Sequence, residues 1–198
     1  KFCEWMLSME NLTLPDRVQR GAIVLVSGWR QAGKTTLLLA VRQAAQEAGL
    51  RVGGFLSAAR FEAGEKTGID LVDAHTGRTL PLAVAASGGA ITTGHYSFEP
   101  AALEAGLAFA EEGKSADVFL VDELGPLELV KGEGWIGVID MLRERAFGVA
   151  LVVVRPELIA QARDWLGLTP DSPLINLDES ERDELAQKLS SWVIKNLT

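Results

Sequence analysis

Short, unbroken apolar runs alternate along the chain with longer stretches in which apolar positions recur every three or four residues. The first run, Ile23-Val24-Leu25-Val26, is the pattern of a strand buried on both faces of a parallel sheet. A helical pattern follows over residues 34–47, with Leu37, Leu38 and Val41 as its core face and Gly49 placed for a left-handed C-terminal cap. Residues 51–58 and 68–73 read as two strands separated by a polar, glycine-containing turn, and 79–84 as a third. Together they predict an antiparallel flap or hairpin beside the main sheet. From Glu99, the spacing of Leu103, Leu107 and Phe109 predicts a helix with Pro100 in its first turn. Val118-Phe119-Leu120-Val121 and Val149-Ala150-Leu151-Val152-Val153-Val154 are further buried strands, and Leu174-Ile175-Asn176 is a short last one. Helical patterns occupy 135–145, 156–165 and 180–194. Strands alternating with helices predict an α/β fold of three layers, with a mostly parallel central sheet and the small antiparallel flap.

The chain has 198 residues, 47% hydrophobic and 23% charged, the size and usage of one compact domain. Residues 21–198 are assigned to that domain and 1–20 to an N-terminal extension. Lys1 in place of Met is expected of a trimmed or fused chain, with Met9 as a candidate native start. Lys1-Phe2-Cys3-Glu4-Trp5 has neither the basic start nor the long apolar stretch of a signal peptide. No apolar run approaches the roughly 20 residues of a membrane-spanning helix. Cys3, the one cysteine, has no partner for an internal disulfide, and His75 and His95 are assigned to turns rather than metals. A reducing, cytoplasmic setting is expected. The net charge of −8 speaks against nucleic acid or an anionic membrane as a partner. Ala86-Ser87-Gly88-Gly89-Ala90 has the Ser-Gly-Gly core of ATP-cassette signatures without their Leu and Gln, and reads as a flexible loop.

Gly28-Trp29-Arg30-Gln31-Ala32-Gly33-Lys34-Thr35 changes the picture, because it fits G-x-x-x-x-G-K-[ST] at every fixed position and lies between a strand and a helix. Glycines at both ends let successive N–H groups curl inward toward phosphate oxygens. The helix that begins near Gly33 adds the positive end of its dipole. Gly28 through Thr36 are therefore the candidate nucleotide-binding residues, Thr36 included. Lys34 is assigned to the β- and γ-phosphates, and the Thr35 hydroxyl to Mg²⁺. The fold expected is that of the P-loop NTPases.

The run 118–121 ends in Asp122-Glu123. A carboxylate at a strand end reaches the same sheet edge as the loop, which assigns Asp122 to the Mg²⁺ shell. Glu123 is the candidate to orient or deprotonate water. Arg155, between a β run and Pro156, is a candidate for the charge developing on the γ-phosphate, with a surface ion pair as its bland alternative. Arg30 is a second candidate for that charge. Trp29 is assigned to surface packing or to the side of a nucleobase.

These residues resemble a family, the small THEP-type (cancer-related) nucleoside triphosphatases of thermophiles, other microbes and animals. The resemblance covers most of the chain from Gly21 onward. Gly53-Gly54-Phe55 stands where that family has a Gly-Phe after its first helix, and Gly68-Ile69-Asp70-Leu71-Val72 where it has a Gly-Phe-Asp-containing strand. Val121-Asp122-Glu123-Leu124-Gly125-Pro126-Leu127-Glu128-Leu129 resembles its Asp-Glu-Ile-Gly-(Lys/Pro)-Met-Glu-Leu segment, the most diagnostic match. Glu181-Arg182-Asp183 with Leu185 resembles an Asn-Arg-Asp-x-Leu pattern. Where the family carries Thr-Glu-Glu-Val-Arg, this chain has Ser57-Ala58-Ala59-Arg60-Phe61. The two acids are absent and the arginine is displaced by one, which flips its direction on a strand. A second basic position survives as Lys66.

The resemblance implies a single-domain enzyme that hydrolyses several nucleoside triphosphates to diphosphate and phosphate. Independently, no Asn-Lys-x-Asp or Thr-Lys-x-Asp segment is present to read guanine. The reading is Mg²⁺-dependent hydrolysis of ATP, GTP, CTP and UTP. One rival is a kinase acting on a nucleic-acid end or a metabolite, with Arg60 and Lys66 in a second pocket; no clear Arg-rich lid accompanies it. The other is a non-catalytic nucleotide-binding module, against which Glu123 argues.

Overall fold

The apolar runs become strands of one sheet. In the computed structural model the described residues are 14–85, 91–93 and 96–198; Cys3, Met9, His95 and the segment 86–90 lie outside them. Among the described residues the strands are β1 (Ala22–Ser27), β2 (Val52–Glu62), β3 (Glu65–Asp73), β4 (Thr79–Ala85), β5 (Ile91–Thr93), β6 (Tyr96–Phe98), β7 (Val118–Leu124), β8 (Val149–Val154) and β9 (Leu174–Asn176). Their order is β5-β6-β4-β3-β2-β7-β8-β1-β9. From β2 to β9 every pairing is parallel. Beyond β2 the strands continue antiparallel. The expected antiparallel flap is present, with β2 and β3 as a hairpin, and it continues the main sheet because β2 pairs with β7 along one edge and with β3 along the other.

Helices α1 (Lys34–Glu47), α2 (Pro100–Gly113), α3 (Pro126–Leu129), α4 (Ile136–Glu144), α5 (Ile159–Leu166) and α6 (Arg182–Leu197) complete the three layers. Alternate residues of each parallel strand feed two separate cores. Val24 and Val26 join Leu37, Leu38 and Val41 of α1 and Leu185, Leu189 and Val193 of α6. Ile23 and Leu25 join Leu103 of α2, Val138, Ile139 and Leu142 of α4, and Leu166 of α5. Each such side chain taken fully from water contributes about 1.5–3 kcal/mol. Residues before β1 also pack on α6: Trp192 Nε1 donates to the Pro15 carbonyl at 2.7 Å, and the Val18 N–H to Asn196 Oδ1 at 2.9 Å. Among the described residues no helix is long and apolar enough to cross a membrane.

Tertiary packing changed several details. In α2 the buried face is Ala102, Leu103, Gly106 and Ala110 rather than the Leu103, Leu107, Phe109 stripe. Small residues face inward there because the helix lies close to its neighbours. A Cβ on Gly106 would stand 2.5 Å from Trp135 Nε1, and one on Gly113 2.6 Å from the Gly53 Cα. The patterns at 156–165 and 180–194 open as 3₁₀ turns, Pro156–Leu158 and Glu179–Glu181, before α5 and α6. The short α3 and the strands β5 and β6 carry too few residues to show a period. Gly54 is required by close approach: its φ is +91°, and a Cβ would lie 2.0 Å from the Leu120 carbonyl oxygen.

Candidate active site

The loop from Gly28 to Gly33 joins the end of β1 to the start of α1 at the C-terminal edge of the parallel strands. Gly28, Gln31 and Gly33 have φ of +149°, +66° and +88°, conformations that turn backbone N–H groups to one side of the curl. Gly33, in the N-cap position of α1, supplies no side-chain cap, which leaves the first N–H groups of the helix open to an anion. Lys34 Nζ donates to the carbonyls of Gly28 and Trp29, each at 2.8 Å, folding the cation over the loop it guards. Burial pulls the Lys34 pKa below its ordinary value, opposed by Glu123 and Asp122.

Asp122 is buried at 3% exposure. Its Oδ2 accepts from the Ser57 N–H at 3.0 Å, the Ser57 hydroxyl donates to the Asp122 carbonyl at 2.7 Å, and the Thr35 hydroxyl is near enough to favour the charged carboxylate. Burial outweighs these partners and pushes the carboxyl from 3.8 up to about 6. A cation beside it would relieve that penalty.

At Glu123 the chain leaves the ladder. Its φ is +149°, and the β7–β8 register shifts between Val121 and Leu124. A backbone held in so sparsely populated a region costs on the order of 1–3 kcal/mol. The shift turns Glu123 to a half-exposed position while Asp122 stays buried, so neighbours in sequence face different surroundings. Glu123 Oε1 is ion-paired with Arg155 Nε from the end of β8. Behind it, Glu128 of α3 is buried and accepts from the Gly125 N–H at 3.0 Å and the Trp135 N–H at 3.1 Å. These bonds fix the turn that follows Glu123, and burial raises the Glu128 pKa against them.

Lys34, Thr35, Asp122, Glu123 and Arg155, drawn from β1–α1, β7 and β8, are brought together. Arg155 pairs with Glu123 rather than with a surface acid. Trp29, Arg30, Gln31 and Thr36 lie exposed along the rim, Trp29 at 79%, and Ala32 is buried against the α1–α6 core. Arg60 and Lys66 are engaged in the antiparallel half: Arg60 Nη1 bonds Asp70 Oδ1 at 2.9 Å, and Lys66 Nζ lies 5.0 Å from the Tyr96 ring centroid. Among the described residues no cluster of three or more His, Cys, Asp or Glu is arranged for a metal. Hydroxyl and carboxylate oxygens from Thr35 and Asp122 are hard donors, and Mg²⁺ commonly takes one or two protein ligands with phosphates and water.

Four residues escaped the sequence reading of the site. Ser57 stands where the resembled family has threonine, Glu128 lies in its most diagnostic segment, and Arg182, whose stem lies against Gly33, in its Arg-Asp pattern. Glu157, whose charge reaches Lys34, had no signal.

A sequence profile described as NTPase matches residues 23–190. The chain is 29% identical to "Nucleoside-triphosphatase THEP1" of Methanopyrus kandleri over 87% of its length and 95% of that protein's. It is 26% identical to the protein of the same name from Methanocaldococcus jannaschii, over 88% and 98%. The solution structure of a human cancer-related nucleoside triphosphatase aligns with a TM-score of 0.65 at 20% identity, covering 87% of this chain and 97% of that one. THEP1 from Aquifex aeolicus aligns with a TM-score of 0.59 at 19% identity, covering 86% and 98%. The two structures share the three-layer P-loop fold described above.

Proposed function

The chain belongs to the NTPase family, and from that premise we propose that it hydrolyses ATP, GTP, CTP and UTP to the diphosphate and phosphate with Mg²⁺. The observation that carries the reading is the convergence of Lys34, Asp122 and Glu123 at one loop. Binding exchanges Lys34's two loop carbonyls for β- and γ-phosphate oxygens, at little reorganisation because the ammonium already lies over the loop. Thr35 and Asp122 would hold Mg²⁺, which supplies charge neutralisation at the phosphates. Glu123 orients water and accepts its proton as the water oxygen bonds phosphorus and the bridging oxygen leaves on the diphosphate. For Glu123 to do so, its pair with Arg155 must open, and the freed guanidinium is then available to the γ-phosphate. Base tolerance is supported by the missing guanine-reading segment, and a cytoplasmic setting by the single cysteine.

The test is phosphate release from the four triphosphates with and without Mg²⁺. Release from all four that needs Mg²⁺ is expected, with Glu123→Gln lowering kcat about 100- to 1,000-fold while nucleotide binding persists. Normal turnover by that variant would remove Glu123 from the chemistry. Phosphate appearing on an added acceptor instead of in water would make the protein a kinase.

A further inference from the structure

We propose that Arg182 is the nucleobase platform of this site, its guanidinium stacking on whichever base the bound nucleotide carries. The hydrolase reading supplies the class of ligand; the place comes from the topology. Asp122 and Glu123 leave β7 and Arg155 leaves β8, and both strands lie on one side of β1. Strand β9 and its connection to α6 lie on the other side. A triphosphate whose γ-phosphate meets Lys34 and Glu123 therefore carries its α-phosphate and nucleoside toward β9. The residues waiting there are Leu177, Asp178 and the turn Glu179–Glu181, which ends at Arg182.

That connection is pressed onto the loop at both glycines. A Cβ on Gly28 would lie 2.4 Å from the Leu177 carbonyl oxygen. One on Gly33 would lie 2.4 Å from Arg182 Cδ and 3.2 Å from its Cγ. The arginine stem thus lies on the last loop residue before the helix that receives the phosphates. The segment is held in place beforehand. The Leu177 N–H donates to the Ser27 carbonyl at 2.7 Å, and Asp178 Oδ1 accepts from the Ser180 N–H at 3.0 Å and its hydroxyl at 2.7 Å. Arg182 Nε donates to Asp183 Oδ1 at 2.8 Å, which orients the guanidinium plane from its edge and leaves its faces clear of that bond.

A planar cation suits this position because every base presents a π-face, so stacking adds affinity without choosing a base. Hydrogen-bonding groups aimed at base edges would choose one. Lysine, a point charge on a flexible stem, does not replace the stacking plane.

The test is calorimetric titration of the full chain with ADP, GDP, CDP and UDP, and with pyrophosphate as the ligand that lacks a base, all in Mg²⁺. Arg182→Ala is expected to raise Kd about tenfold for all four nucleotides and to leave pyrophosphate within about twofold. Arg182→Lys retains a stem over Gly33 and a positive charge. It is expected to weaken the nucleotides similarly with an unchanged melting temperature. A parallel loss of pyrophosphate affinity would put Arg182 on the phosphates and overturn the proposal. So would unchanged nucleotide binding by the alanine variant, or wild-type binding by the lysine variant. Diphosphates are not consumed, so this outcome is separate from the hydrolase reading, which fails only if the wild-type chain releases no phosphate from triphosphates.

Discussion

In the parallel half of the sheet, β8 is buried at all six positions and β1 at five of six, whereas β3 in the antiparallel half mixes exposed, half-buried and buried residues. The two halves hold themselves together differently. Helices cover both faces of the parallel strands, so their ends are fixed by packing. The antiparallel strands rely more on pairs between neighbours, such as Arg60 with Asp70 and Lys66 over Tyr96. The candidate site follows the first kind of support: the phosphate loop, Asp122, Glu123 and Arg155 all sit at the ends of β1, β7 and β8. The antiparallel half is also where Ser57-Ala58-Ala59-Arg60-Phe61 departs from the pattern of the resembled family. It touches the site through Ser57, on the strand β2 that both halves share.

The largest effect that this contrast predicts is in the loop. Lys34→Ala should abolish triphosphate binding and lower phosphate release about 1,000-fold or more. Turnover that survived the change would break the assignment of chemistry to the parallel half.

Asp122→Asn sharpens the contrast by separating activity from stability. Phosphate release should fall about 100-fold, yet the metal-free variant should melt about 3 °C higher than wild type at pH 7.5. The sign follows from the carboxyl's rise from 3.8 to about 6. Between those values the folded state holds more protons than the unfolded one, so Asp122 costs stability as pH rises through the window. Asparagine carries no such charge. A lower melting point for Asp122→Asn at pH 7.5 would contradict a penalised buried charge.

The smallest effect belongs to the other half. Arg60→Met removes a part-exposed ion pair and should lower the melting temperature by about 2 °C with kcat within about twofold of wild type. A loss of turnover beyond tenfold would give the antiparallel half a direct catalytic role and erase the distinction.

Much of the parallel half was legible because its signals are local. The bounds of α1 and of β9 fall where the sequence pattern put them, and the loop's glycines, lysine and threonine announce their chemistry within eight consecutive residues. The antiparallel half was less legible. β2 and β3 run on to Glu62 and back from Glu65, through polar residues whose strand conformation depends on pairing rather than on an apolar period. Glu128 and Ser57 look like ordinary polar residues until packing shows that Glu128 accepts from the Gly125 and Trp135 N–H groups and that Ser57 donates its N–H and hydroxyl to Asp122.

By itself the sequence determined the phosphate loop, the strand–loop–helix unit around it, and the pairing of a buried strand end with two acids, because each of these is decided within a few neighbouring residues. Only the tertiary structure decided that β8 inserts between β1 and β7, and that β9 flanks the loop on its far side. The apolar runs Ile23–Val26, Val118–Val121 and Val149–Val154 are alike enough to have no local preference for one neighbour over another. Their order is settled by how helices cover both faces, and that order brings Asp122, Glu123, Arg155 and Arg182 to a loop that lies far from all of them in sequence.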